Sequence, residues 1–161
     1  TIDQKLLDHL AGFDTPTICN ALEVVYGRRV ATGFTTQNMI CAFPDMKPIV
    51  GFARTATIRA SEPSSLPPPR GLGVLGCVTN GSYRDLDAID PRFQLIGGKI
   101  GPNHAHVHLE AFKVDVNIFG MAVRHDDLIH AARHGAVCFT AEAAVKLPEA
   151  IDLCVRKEEP I

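Results

Sequence analysis

The sequence predicts a single α/β domain, and three observations predict it. A short apolar run at 74–78 has the character of a buried parallel strand and ends near Asn80-Gly81, where a chain can turn through positive φ. Helix signals stand at both ends of the chain. Between them lie several short β-branched or apolar runs separated by turn residues.

In order, Lys5-Leu6-Leu7-Asp8-His9-Leu10 is weakly amphipathic and predicts a short helix. Asp14-Thr15-Pro16-Thr17 is a helix start, with Thr15 as the cap and Pro16 at the first helical position. Ile18, Leu22, Val25 and Tyr26 continue it at helical spacing, Asn20 and Glu23 lie on its other side, and Gly27 stops it. Gly33, Pro44 and Pro48 punctuate an irregular connection with one short strand at 39–42. Residues 49–59 read as one strand, rich in β-branched residues.

The segment from Ser61 to Gly73 is anomalous. It carries Pro63, Pro67, Pro68 and Pro69, so it cannot form the helical crossover that a parallel strand pair needs. It reads either as a polyproline-like loop or as a place, near 61–70, where a strand and helix are missing. Gly71-Leu72-Gly73-Val74-Leu75-Gly76 matches the dinucleotide fingerprint in spelling only, because it follows prolines and runs into a strand.

Beyond it, Arg84 and Asp85 stand side by side at the start of a short helical turn. A strand ending in a turn delivers such side chains to the carboxyl edge of its sheet, where open α/β sheets bind ligands. A fixed cation beside a carboxylate suits an anionic substrate held next to a divalent metal. The commoner fate of such a pair is a surface ion pair, and spacing alone does not decide between the two. Phe93-Gln94-Leu95-Ile96 is a strand and 97–102 a loop. His104, His106 and His108 alternate, which on a strand puts all three on one face. Zinc could use such a face, but without a fourth ligand nearby a half-exposed strand or a subunit contact is the favoured reading. Residues 114–119 and 121–123 pair through Gly120. Leu128-Ile129-His130-Ala131 leads through the turn Arg133-His134-Gly135 to a strand at 136–139, as in an antiparallel meander or small barrel-like sheet. His130, Arg133 and His134 either line a site or form a plain turn. A helix at 141–157, kinked or restarted at Pro148, closes the chain.

Composition sets outer bounds. The 161 residues are 46% hydrophobic, enough for one sizeable core. A net charge of −2 gives no general attraction to nucleic acid or anionic membrane. No apolar run approaches the ~20 residues of a membrane helix. The first residues lack a basic region followed by an apolar one, so no secretory leader is expected. Five widely spaced cysteines, without a CxxC pair, read as buried thiols of a reducing compartment, and the expected location is the cytoplasm.

Several stretches together resemble the RraA-like proteins. Gly76-Cys77-Val78-Thr79-Asn80-Gly81-Ser82-Tyr83-Arg84-Asp85-Leu86 is similar to their GVVTDG-x-x-RD signature. Gly101-Pro102-Asn103-His104-Ala105-His106-Val107-His108 is similar to PSHAYVH, and the run from Asp127 to Val137 to DLLHADRHGVV. The run from Asp14 to Leu22 resembles DTPTVSDAL, and that from Val50 to Thr57 resembles VGPAVTV.

The resemblance implies a swivelling phosphohistidine-domain-like β/β/α fold, a single domain with mixed sheets and flanking helices, assembled as a ring-shaped trimer or two stacked trimers. It implies a divalent-metal lyase that cleaves 4-hydroxy-2-oxo acids to pyruvate and decarboxylates oxaloacetate. The alternative it carries is a non-catalytic protein that acts on a ribonuclease or another protein partner. By the same resemblance Arg84, with Asn80 and Gly81, binds a small keto acid, and Asp85 ligates Mg²⁺ or Mn²⁺ largely through waters. Arg84 and Asp85 are then the catalytic pair. Three positions depart from the pattern. The family's upstream Asp in a Gly-rich turn falls where this chain has its proline segment, with Glu62 as the only acid. Asn20 and Ala132 stand where the family motifs have Asp. The older label of the family, a methyltransferase, finds no support, since no Gly-rich loop follows a first strand to hold an adenosyl cofactor.

Overall fold

The computed structural model describes residues 2–61, 74–102 and 105–158. The three helices among these residues group together. α1 (Gln4–Leu10) is capped by Asp3, whose carboxylate accepts the Leu6 N–H at 2.9 Å. α2 (Thr15–Tyr26) is capped by Asp14, which accepts the Thr17 N–H at 2.9 Å, so the cap lies one residue earlier than the Thr15 expected. Thr15 is buried instead, its hydroxyl 3.2 Å from His130 Nδ1, which takes it out of the capping role. Gly27 ends α2 at φ 65°, a left-handed conformation that glycine adopts without a Cβ clash. α3 (Ala141–Glu158) runs continuously through Pro148. Its buried residues Ala143, Ala144, Leu147, Ala150 and Ile151 recur at helical spacing and meet Leu10, Ile18, Ala21 and Leu22 in the first apolar core.

That core rests on an antiparallel sheet of order β10-β9-β2. The central strand β9 (Leu128–Ala132) pairs with β10 (Gly135–Phe139) and β2 (Ile49–Phe52), so Val50, His130 and Val137 lie in one row. A second sheet has the order β1-β5-β4: β1 (Ile40–Cys41) is antiparallel to β5 (Gln94–Ile100), and β4 (Gly76–Tyr83) is parallel to it. Ile96 of β5, Ala131 of β9 and Ala136 of β10 share a second core with Met121 and Val123 of β8 (Met121–Val123). Two ribbons complete the structure, β3 (Ala56–Arg59) with β6 (His108–Phe112), and β7 (Val116–Ile118) with β8. The architecture is a mixed α/β domain, as the sequence predicts.

Several expectations need correction. Residues 49–59 are two strands in different sheets, not one. The chain leaves β2 because Ala53 exchanges hydrogen bonds with the 124–127 turn, Ala53 N–H to Asp127 O at 2.8 Å and Asp126 N–H to Ala53 O at 2.9 Å. Asn80-Gly81 is not a turn but part of β4, where the register against β5 shifts between Thr79 and Ser82 and a bulge takes up the extra residue. Residues 97–100, expected in a loop, continue β5. Among the described residues the meander is replaced by four small sheets, in which β9-β10 and β7-β8 are hairpins. The crossover between parallel strands is the segment 84–93, which joins β4 to β5 through a single 3-10 turn, Leu86–Ala88. β3 and β4 belong to different sheets, so the proline segment is not asked to bridge a parallel pair. The segment proposed missing near 61–70 falls almost wholly outside the described residues. Among the described residues no helix is long and apolar enough to cross a membrane.

Candidate functional site

Arg84 and Asp85 open the crossover, directly beyond the carboxyl end of β4. The strand end is fixed by Tyr83, which is buried, donates its hydroxyl to Ile40 O at 3.0 Å, and accepts the Gly101 N–H at its carbonyl at 3.0 Å. Burial raises the Tyr83 pKa, so the phenol keeps the proton it donates. Arg84 then lies between two acceptors. Its Nε–H donates to Asp85 Oδ2 at 2.8 Å and its Nη1 to Pro102 O at 3.2 Å. The Arg84 side chain is 34% exposed and that of Asp85 59%, so the pair faces solvent without pointing apart. Asp85 adopts φ 57°, ψ 41°, the left-handed region that Asp tolerates better than most residues. Its carbonyl accepts the Ala88 N–H at 2.9 Å and starts the 3-10 turn.

The other two residues expected to bind substrate already have partners. The Asn80 amide bridges β4 to the β7-β8 hairpin, donating to Asn117 O at 3.2 Å and accepting the Phe119 N–H at 3.1 Å. The Gly81 N–H donates to Thr79 Oγ1 at 3.1 Å. Their visible work is to hold the bulged strand.

A divalent metal is tested by the donors present. Asp85 supplies a hard, solvent-exposed carboxylate, the ligand type Mg²⁺ and Mn²⁺ take singly while keeping several waters. Among the described residues no three His, Cys, Asp or Glu side chains converge on a metal position. Among the described residues, this single carboxylate is a donor of the kind a largely hydrated hard cation takes. The alternating histidine face is described only in part. β6 begins only at His108, whose Nδ1 lies 2.8 Å from the carbonyl of His106, while His104 lies outside the described residues.

Two clefts lie among the described residues, and the pair lines neither. One, of about 350 Å³, is bounded by Asp14, Asp45, Arg133 and His134; the other, of about 500 Å³, by Phe43, Pro44, Met46 and Pro91. Arg133 and His134 thus reach a cleft from the hairpin tip, but His130 does not join them. It is fully buried, with Nε2 3.0 Å from Phe13 O, and burial lowers its pKa. All five cysteines are free. Burial and Asp127 beside it push Cys138 up to about 12. Against the expectation of buried thiols, Cys19, Cys41, Cys138 and Cys154 are half-buried and Cys77 is exposed on β4.

Sequence reasoning passed over Lys99. The register pairs it with Ser82 across the parallel strands, and both are exposed. The signal was there in the spacing of 94–100, but Gly97-Gly98 masked it as a loop.

With this geometry in place, the comparisons bear on it. The RraA-like family model (Aldolase/RraA) matches residues 70–138, which contain β4, the Arg84-Asp85 pair, β5 and the His130-Arg133 hairpin. That stretch of the chain is similar to the RraA-like family. Its fold resembles that of Streptomyces coelicolor RraAS2, described as an unusual member of the RNase ES inhibitor RraA protein family, at 18% identity and a TM-score of 0.58, over 99% of this chain and 96% of that one. It also resembles an uncharacterized protein from Pseudomonas syringae pv. tomato str. DC3000, at 19% identity and 0.72, over 98% and 90% of the two chains. A structure described as novel cellulases from microbes associated with the gut ecosystem aligns at 12% identity and a TM-score of 0.72, over 99% and 88% of the two chains. At these identities the likeness is one of fold. No curated protein sequence matches this chain.

Proposed function

We propose that this protein is a divalent-metal-dependent lyase acting on short 2-oxo acids, a class II aldolase that releases pyruvate and also decarboxylates oxaloacetate. The observation that carries the reading is the fixed Arg84 guanidinium at the carboxyl end of a parallel strand pair, held by Asp85 Oδ2 and Pro102 O.

In such a cleavage the C3–C4 bond of the substrate breaks and its electron pair moves onto the 2-oxo oxygen, giving the enolate of pyruvate. The 4-hydroxyl gives up its proton as it becomes a carbonyl, and the enolate carbon gains one. From oxaloacetate the same bond releases CO₂. Arg84 binds the 1-carboxylate and 2-oxo oxygen, and its positive charge opposes the negative charge that develops there. Asp85 holds the guanidinium in that orientation through Nε and, by the same reading, is the carboxylate that holds Mg²⁺ or Mn²⁺ through water. The cation, when bound, supplies Lewis-acid stabilisation of the developing oxyanion. A ring of three chains, or two stacked rings, belongs to this reading, and light scattering would report three or six chains per particle.

A second reading is favoured by the position of the pair outside both clefts. In it the chain is a non-catalytic regulator that binds a ribonuclease or another protein, a reading in line with the Streptomyces protein's description as a member of an RNase ES inhibitor family. One assay separates the two. Pyruvate released from oxaloacetate above the metal-only blank, in Mg²⁺ or Mn²⁺ but not in EDTA, supports the lyase; a rate equal to the blank in every metal leaves the regulator.

A further inference from the structure

We infer that Lys99 receives the second carboxylate of a dicarboxylate substrate and so sets a preference for dianionic over monoanionic 2-oxo acids. The inference rests on the lyase reading for its reaction, but the placement of Lys99 stands on register alone. β4 and β5 are parallel, and Ser82 is paired with Lys99 and Tyr83 with Ile100. Paired residues of neighbouring strands present their side chains to the same face, with the strands about 4.8 Å apart. Gly101, two residues beyond Lys99, confirms the face: a Cβ built on it lies 3.8 Å from Ser82 Cβ. Arg84 follows Ser82 by two residues and reaches Pro102 O, beside Gly101.

The carboxyl edge of the pair therefore carries two cations, Arg84 and Lys99, with the Ser82 hydroxyl between them in sequence register. The two cations differ in state. Arg84 is engaged by Asp85 and Pro102, whereas the Lys99 ammonium makes no ion pair or hydrogen bond with any described residue, and Lys99 is exposed. An exposed lysine without a partner is ordinary on a protein surface. Here it stands on the strand next to the guanidinium proposed to hold a carboxylate, at a sheet edge where substrates bind. A flexible stem with a compact ammonium suits a distal carboxylate whose distance varies with chain length, while the planar fork of Arg84 suits the fixed carboxylate-carbonyl end.

Titration calorimetry in Mg²⁺ buffer with 2-oxoglutarate and with pyruvate tests this. For Lys99→Gln the affinity for 2-oxoglutarate falls about tenfold while that for pyruvate stays within about twofold, and Lys99→Arg keeps both. With oxaloacetate, Lys99→Gln raises KM and leaves kcat unchanged. Equal losses for both ligands, no loss for either, or failure of the unaltered protein to bind 2-oxoglutarate overturns the role of Lys99. Selective loss of 2-oxoglutarate binding without any oxaloacetate turnover by the unaltered protein supports Lys99 and rejects the lyase chemistry.

Discussion

The ring of Tyr83 fills the space that a side chain on Gly97 would need. The contact joins β4 to β5 just before the Arg84-Asp85 pair. The first prediction follows from it: Gly97→Ala forces the ring to move and destabilises the protein by about 1–3 kcal/mol, as overpacking does. Urea denaturation measures the loss. Because Tyr83 also anchors Ile40 and Gly101, the same change lowers pyruvate release per folded molecule.

Asn80 separates a structural role from a binding one. Its amide links β4 to the β7-β8 hairpin, whose residues Phe119 and Gly120 both have positive φ, 53° and 86°. Asn80→Ala is expected to destabilise by about 1 kcal/mol, the loss of a partly exposed hydrogen-bonded bridge. KM for oxaloacetate stays within about twofold. A rise in KM at unchanged stability would return Asn80 to the substrate.

His130 gives a pH dependence. Burial lowers its pKa in the folded protein from the ordinary value near 6.5. The unfolded chain therefore binds more protons between the folded pKa and about 6.5, and stability rises with pH there. Its contribution is complete above about 6.5 and is lost as pH falls from that value toward the folded pKa. His125 is shifted the same way, by desolvation and then by Arg54 and Lys113, with Nδ1 accepting the Thr55 N–H at 3.3 Å. Urea midpoints at pH 7.5 and 5.5 are expected to fall with acid, and less so in His130→Gln. An unchanged slope in that variant contradicts the assignment.

Metal removal forms the fourth prediction. EDTA abolishes pyruvate release and Mn²⁺ or Mg²⁺ restores it. Asp85→Asn raises the metal concentration for half-maximal rate about tenfold, the scale for groups that hold a metal through its waters.

Much of this fold was legible in sequence because it rests on local chemistry. Asp14-Thr15-Pro16, Gly27 and the stripe through α3 each announce themselves within a few residues. The strand at 74–78 read as parallel because it lacks alternation, and it is parallel. What was not legible depended on distant partners. Nothing in residues 49–59 says that the 124–127 turn pulls Ala53 out of the strand. Asn80-Gly81 spells a turn, yet Asn117 and Phe119, far along the chain, hold it in a bulge. At the site, adjacency revealed Arg84 and Asp85, whereas Lys99 needed a strand register that only the fold supplies.

The central claim is that one guanidinium, fixed at a parallel strand end, carries the charge of a forming enolate. The most direct measurement is kcat/KM for pyruvate release from oxaloacetate in Mn²⁺ by Arg84→Ala and Arg84→Lys, with folding checked by circular dichroism. A fall of about 10²–10³ in Arg84→Ala, only partly recovered in Arg84→Lys, is the result expected. Turnover within about twofold of the unaltered protein in a folded Arg84→Ala contradicts it.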